Sequence, residues 1–291
     1  MNYNAQDLLE LLDLEPIEVN IYRGNNRDIG SGRVFGGQVL SQALVAAQRT
    51  VEPDRIAHSL HGYFILPGDL KAPIVYFVDP LRDGRSFTTR RVTAIQHGKA
   101  IFNMSASFHV REEGLEHQLP MPNVPPPESL RSELDIIRER ADDIPEHLRA
   151  VLTQDRPIDF RHVEYVDPLD PAPHPPIRHM WIRAIGPLPD DPFAHQSILA
   201  YASDYNLIGT ALQPHGRTFR RPGIQVASLD HSIWFHRECR VDEWLLYALD
   251  SPVASGSRGF ARGSIFTRNG VLVASIAQEG LMRLVDTNHE S

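Results

Sequence analysis

Apolar and polar positions repeat along this chain with two periods, and the switches between them mark out its elements. Residues 5–14, AQDLLELLDL, carry leucines at 8, 9, 11, 12 and 14 and predict a short amphipathic helix that Pro16 ends. A strand is expected over Val19 to Arg23. The helical period returns in GGQVLSQALVAAQRTV, from Gly36-Gly37 to about Val51, where Ala43, Ala46 and Ala47 leave a slim face that a sheet can approach. Period-2 runs rich in β-branched and aromatic residues follow at 57–66, 74–79, 86–96 and 99–111. Pro67-Gly68, Asp83-Gly84 and His97-Gly98 separate them, the last where a tight hairpin turn belongs.

The pattern lapses in 112–128, which contains MPNVPPPE and cannot be the interior of a strand or helix. A charged helix over Ser129 to Ala141 and a helical stretch to about Thr153 complete a connector, 112–158, expected to pack on the surface. The earlier order then recurs. Strands at 160–166 and 178–185 lead to a helix over 195–209, with Ile198, Ala202, Tyr205 and Gly209 on one stripe. Strands at 225–235, 245–249, 257–268 and 271–284 close the chain, the last two joined by Asn269-Gly270.

This is an internal repeat. Gln38 corresponds to Gln196 at an offset of 158, Ser59-Leu60 to Ser228-Leu229 at 169, Tyr76 to Tyr247 at 171 and Gly98 to Gly270 at 172. Each half is a helix followed by an antiparallel meander that can wrap it. The expected class is therefore α+β, a double hotdog, with an N-terminal unit over 1–111 and a C-terminal unit over 159–291.

The repeat allows the halves to be compared. Asp204 falls where the first half has Ala46, Gln278 where it has Ala106, and Ser228 where it has Ser59. Gln278 shares a strand face with Leu272, Ala274 and Ile276, and Ser228 one with Ile224, Val226 and Asp230. These are polar groups on apolar rows, and buried ones are normally hydrogen-bonded. A structural tie explains each residue taken singly, and a solvent-facing position explains Asp204 taken singly. Chemistry retained in one copy of a duplicated fold explains all three together.

Composition narrows the classes. The 291 residues suffice for a sizeable core, and a formal net charge of −8 argues against nucleic acid as a partner. Cys239 is the single cysteine, so no intramolecular disulfide forms, and its charged surroundings read as a bystander thiol. No apolar run reaches the roughly 18 residues of a membrane span. The acidic start of the chain is unlike a secretory signal, and the final His-Glu-Ser is unlike a peroxisomal address, so a cytoplasmic location is expected. G-x-S-x-G, the phosphate loop and H-E-x-x-H are absent, the nearest approach to the first being Ser255-Gly256-Ser257-Arg258-Gly259. His58 and His61, three apart on a strand, point to opposite faces and do not make a metal pair. His58 is a candidate pocket residue or a satisfied core histidine. Gly36 and Gly37 offer either close packing or free N–H groups at a helix start. Arg217, Arg220 and Arg221 read as a solvated basic loop or as phosphate contacts.

The stretches RVFGGQVLSQAL, HSLHGYFILPGD, LRDGRSFTTRRV, YASDYNLIGTALQPHG, SLDHSIWFHR, SRGFARG and VASIAQEGLMR occur in order across both halves. On them the chain resembles the acyl-CoA thioesterase II family. The resemblance implies a double hotdog that hydrolyses fatty acyl-CoA through a water, without cofactor, metal or covalent intermediate. It implies catalytic roles for Asp204, Ser228 and Gln278, position 228 being often Thr in the family. Substrate contacts are expected at His58, Gly36, Gly37 and Arg258, with helix-start N–H groups taking the oxyanion. A homo-oligomer, dimer or dimer of dimers, is expected, with acyl-CoA as the partner and no membrane insertion. Two alternatives are weighed beside it: a hotdog enoyl-CoA hydratase or dehydratase, and a non-catalytic acyl-CoA-binding module.

Overall fold

Alternating burial follows the period-2 pattern: along Phe87–Gln96 the side chains at 88, 90, 92, 94 and 96 are buried, and those between them are not. The computed structural model describes residues 3–144, 146–167, 171–219 and 223–285. Arg220, Arg221 and the final tripeptide lie outside them.

The first half comprises α1 (Ala5–Leu12), β1 (Glu15–Glu18), β2 (Ile21–Gly24), α2 (Gly36–Gln48), β3 (Arg55–Phe64), β4 (Ile74–Asp83), β5 (Phe87–Gln96) and β6 (Lys99–Val110). The connector holds α3 (Glu133–Glu139) and α4 (Glu146–Leu152). The second half comprises β7 (Ile158–His162), β8 (Ile177–Ala184), α5 (Pro192–Ser203), α6 (Leu207–Leu212), β9 (Ile224–Ser228), β10 (Asp230–Phe235), β11 (Leu245–Ser255), β12 (Arg258–Thr267) and β13 (Leu272–Leu284).

All these strands join in one antiparallel sheet, ordered β1-β2-β4-β5-β6-β3-β10-β13-β12-β11-β8-β7, with β9 also on β13. The halves meet where β3 pairs with β10, Leu60 opposite Ile233. Helices α2 and α5 pack against one another, and the Ser41 hydroxyl donates to the Ser197 carbonyl at 2.5 Å across their contact. Residues 194–203 of α5 are all buried, so the expected single stripe is in fact a helix enclosed on every side. Asp191 caps it by accepting from the Phe193 N–H, and Pro192 occupies its first turn. This is the double hotdog that the repeat predicts.

The ladders fix the repeat more closely than sequence offsets do. Arg90 faces Ala106 and Ala261 faces Gln278, so Ala106 and Gln278 are counterparts. Ser228 faces Gly280, whose counterpart Phe108 faces Ala57. The counterpart of Ser228 is therefore Ala57 and not Ser59. The bulge of β3 between Ala57 and Ser59 is matched by a one-residue slip at Leu229, so the offset is 171 on either side, and the shared Ser-Leu pair at 169 is a chance match. With Ala46 taken from the sequence offset, the three polar residues of the second half now stand against three alanines.

Three other expectations are corrected. The helix expected over 195–209 ends at Ser203. Asp204 is its C-terminal cap, Asn206 adopts a left-handed φ of 69°, and α6 begins at Leu207. The strand expected at 19–23 is a hairpin of β1 and β2. The alternation expected to continue from Ser228 to Asp230 slips by one residue at Leu229, so that His231, Ile233 and Phe235 are the buried side chains of β10. The connector lies over the C-terminal half, where Met121, Val124 and Leu130 pack on Trp181, Trp244, Leu246 and Phe266. The Trp181 indole N–H donates to the Pro125 carbonyl at 2.8 Å. No helix among the described residues is long and apolar enough to cross a membrane.

Candidate active site

The break after Ser203 lets Asp204 leave the helix axis and turn toward the sheet. Its side chain is 4% exposed. The Gln278 Nε2 donates to its Oδ1 at 2.6 Å, and the Gly37 backbone N–H, in the first turn of α2, donates to the same carboxylate. Burial dominates these bonds and pushes the Asp204 carboxyl up to about 6. The carboxylate is thus poised where a general base works near neutral pH.

Gln278 lies on the inner face of β13, 2% exposed, as the period-2 row predicts. Its Nε2 also approaches His231 Nδ1 at 3.2 Å. Its Oε1 is buried and has no partner among the described residues. A buried amide oxygen without a donor is an acceptor held open for one. Ser228 lies opposite Gly280, two residues beyond Gln278 on the same strand, and so on the same face. A Cβ at Gly280 would lie 2.6 Å from Ile208 Cγ1, which shows that this face looks toward α6.

The glycines act by close approach. A Cβ at Gly36 would lie 2.7 Å from Asp204 Oδ2, and one at Gly37 would lie 2.5 Å from the Tyr201 carbonyl oxygen. The Gly37 N–H, one of the groups at the helix start, is engaged by Asp204. Gly37→Ala gains at most about 1 kcal/mol of helix propensity and sets a methyl against backbone, which costs about 1–3 kcal/mol. It should lower the melting temperature. By drawing the N–H from Asp204 it should also shift the acid limb of the rate profile upward, which a pH–rate measurement on the variant checks.

Two expected residues lie elsewhere. His58 sits at the bulge of β3, its ring edge-on to Phe87 at 5.6 Å and 6.2 Å from His109. Those two are cross-strand partners stacked at 4.2 Å, beside the inward-facing Thr88 and Phe108, so the cluster is on the outer face of the sheet. Arg258 follows the β11–β12 turn, where Gly256 and Ser257 both have positive φ. Its Nε donates to Glu279 Oε1 at 3.0 Å, and Glu279 alternates with Gln278, so Arg258 too points to the outer face. The segment that approached a nucleophile elbow is this hairpin. Burial pushes the Cys239 thiol up to about 12, and it stays protonated at neutral pH. Among the described residues no three His, Cys, Asp or Glu side chains gather as a metal site.

His231 and Ser203 were not anticipated. His231 is fully buried, with Nε2 2.8 Å from Ser203 Oγ and Nδ1 3.8 Å from Asp204 Oδ1. Burial holds its pKa down at about 3, so it is neutral and forms no ion pair with Asp204. The slip at Leu229 hides it from any reading by alternation.

A carboxylate of raised pKa beside an open amide oxygen can hold a water and take its proton. The comparisons with known proteins bear on what that water attacks. Residues 153–281 match a family model described as acyl-CoA thioesterase, and residues 25–109 match its N-terminal domain model. The chain is 44% identical to acyl-CoA thioesterase 2 of Haemophilus influenzae, over 95% of this chain and 97% of that one. Among solved structures it is similar to the acyl-CoA thioesterase II TesB2 of Mycobacterium marinum, at 44% identity and a TM-score of 0.79, over 96% of this chain and 99% of that one. A hot dog fold protein of unknown function from Alicyclobacillus acidocaldarius, 19% identical with a TM-score of 0.74, covers 96% of this chain and 99% of its own and shares the fold.

Proposed function

The chain belongs to the acyl-CoA thioesterase family, and from that premise we propose that Asp204 is the base that activates the attacking water, with Gln278 and Ser228 aiming it. The observation that carries this reading is the 2.6 Å bond from Gln278 Nε2 to a buried Asp204, which leaves Gln278 Oε1 unpartnered beside it. The water donates one hydrogen toward Gln278 Oε1 and the other to Asp204. Its oxygen bonds to the thioester carbon, and the carbonyl pair moves onto oxygen. The tetrahedral adduct collapses by breaking the C–S bond, and the CoA sulfur recovers the proton from Asp204. The products are a carboxylic acid and CoA with a free thiol. Ser228 offers a hydroxyl to the same water and is not a nucleophile, since no elbow surrounds it.

Two measurements test this. The turnover of acyl-CoA should fall tenfold per pH unit below about 6, where Asp204 becomes protonated and can no longer accept. Ser228→Thr should keep turnover within about threefold, because only the hydroxyl is used. A trapped acyl-Ser228 adduct, or a rate independent of pH down to 4, would overturn the assignment.

The hydratase and binding-module alternatives are not favoured, since the relatives 44% identical over nearly the whole chain are named acyl-CoA thioesterases. The same reading takes the enzyme as cytoplasmic and homo-oligomeric.

A further inference from the structure

The proposed chemistry gives no task to His231 and Ser203, although both are fully buried and touch its parts. Their hydrogen bonds run in one direction. The Ser203 hydroxyl donates to the Ala200 carbonyl at 2.8 Å, and a carbonyl can only accept. With its one proton so used, Ser203 Oγ must accept from His231 Nε2 at 2.8 Å. The neutral ring then carries its proton on Nε2, and Nδ1 is a lone pair. That lone pair accepts from Gln278 Nε2 at 3.2 Å, and the second N–H of the same amide goes to Asp204 Oδ1. Every donor in the chain is used once, and the group left over is Gln278 Oε1.

We propose that Ser203 and His231 are positioning residues that lock the Gln278 amide in one orientation, with its nitrogen on Asp204 and its oxygen toward the reacting water. This deepens the reading of Asp204 and Gln278 given above and rests on it. The opposite orientation needs His231 protonated on Nδ1 and a proton on Asp204. It would suit the acid form of the site, which cannot act as base. The relay from the Ala200 carbonyl excludes that arrangement and keeps the amide set for the carboxylate form. No part of the relay touches substrate; its effect on rate passes through Gln278.

The first test is made on the unaltered enzyme. Nitrogen-15 spectra of histidine-labelled protein should show His231 as the Nε2–H tautomer; the Nδ1–H tautomer overturns the proposal. The second test is kinetic. His231→Leu should lower kcat by about 10–100-fold with KM nearly unchanged, a loss of the size expected for a misplaced catalytic group. His231→Asn sets an amide oxygen near the place of Nδ1 and should recover turnover to within about fivefold of wild type. Adding His231→Leu to Gln278→Ala should cost nothing further, because the first change acts through the second. Additive losses, or Asn no better than Leu, would show a merely structural histidine. The two readings fail separately: an active Asp204→Asn removes the mechanism, whereas an inactive Asp204→Asn beside a fully active His231→Leu removes only the relay.

Discussion

Asp204→Asn should lower kcat for acyl-CoA hydrolysis by about 10²–10⁴-fold, the contribution of a positioned base, while KM stays near its wild-type value. Asn keeps the shape of the side chain and its acceptor for Gln278 but cannot take a proton. The same variant reports on the buried charge. The Asp204 carboxyl titrates near 6 in the folded protein and near 3.9 when unfolded. The folded state therefore holds this proton more tightly. The contribution of the group to stability is fully present below about pH 4 and is lost as pH rises through 6. A shift of about two units corresponds to roughly 3 kcal/mol. The stability of Asp204→Asn relative to wild type should therefore improve by about that amount between pH 4 and pH 8. Single-turnover rates and denaturant titrations on one preparation give both numbers. Near-wild-type chemistry in the folded variant would remove Asp204 from the mechanism.

Gln278→Ala should be the second severe loss, about 10²–10³-fold in kcat, as for a positioned amide in other hydrolytic sites. It removes the acceptor for the water and the donor to Asp204. Because that donor holds the Asp204 carboxyl down, its loss should also move the acid limb above pH 6. The matched control is Ala106→Ser, on the strand position that corresponds to Gln278 in the first half. Ala106 is buried, so a hydroxyl there costs some stability, yet turnover of the folded enzyme should stay within about twofold. Equal losses in the two variants would mean that the halves are not functionally distinct.

The architecture was legible because both periods are strong. Hairpin turns at His97-Gly98 and Asn269-Gly270, and the recurrence of Tyr76 as Tyr247, place the meanders correctly. What failed were single-residue events. The helix expected through 209 continues to look helical because Leu207–Leu212 is helical again beyond the left-handed Asn206. The slip at Leu229 reverses which side chains of β10 face inward, and pattern counting cannot detect one skipped residue. Asp204, Gln278 and Ser228 stand out in the sequence because the halves can be compared, and the corrected register of Ser228 against Ala57 sharpens that comparison. The burial of Asp204 was not legible, since it comes from Gly36 and Gly37 in the other half. The placement of His58 and Arg258 failed for a related reason: the face of the sheet they leave from is set by a bulge and a hairpin tip.

The order of the strands has a consequence for how this chain can meet another copy. A sheet grows only at strands with unpaired N–H and C=O groups, and here the strand order runs out at β1 and β7, with the short β9 paired on β13 beside it. β1 is four exposed residues, Glu15-Pro16-Ile17-Glu18, in which Pro16 has no N–H to offer and two carboxylates repel a like strand. β7 lies beside the connector, with the Arg161 guanidinium donating to the Pro127 carbonyl at 2.9 Å and α3 packed on it. Neither terminus of the sheet is a template for recruiting a further strand, which guards a long ladder against fibre-like growth. Another copy is thereby kept from prolonging the ladder at β1 or β7, while Tyr63 and Trp234 stand exposed on the outer face over the β3–β10 seam.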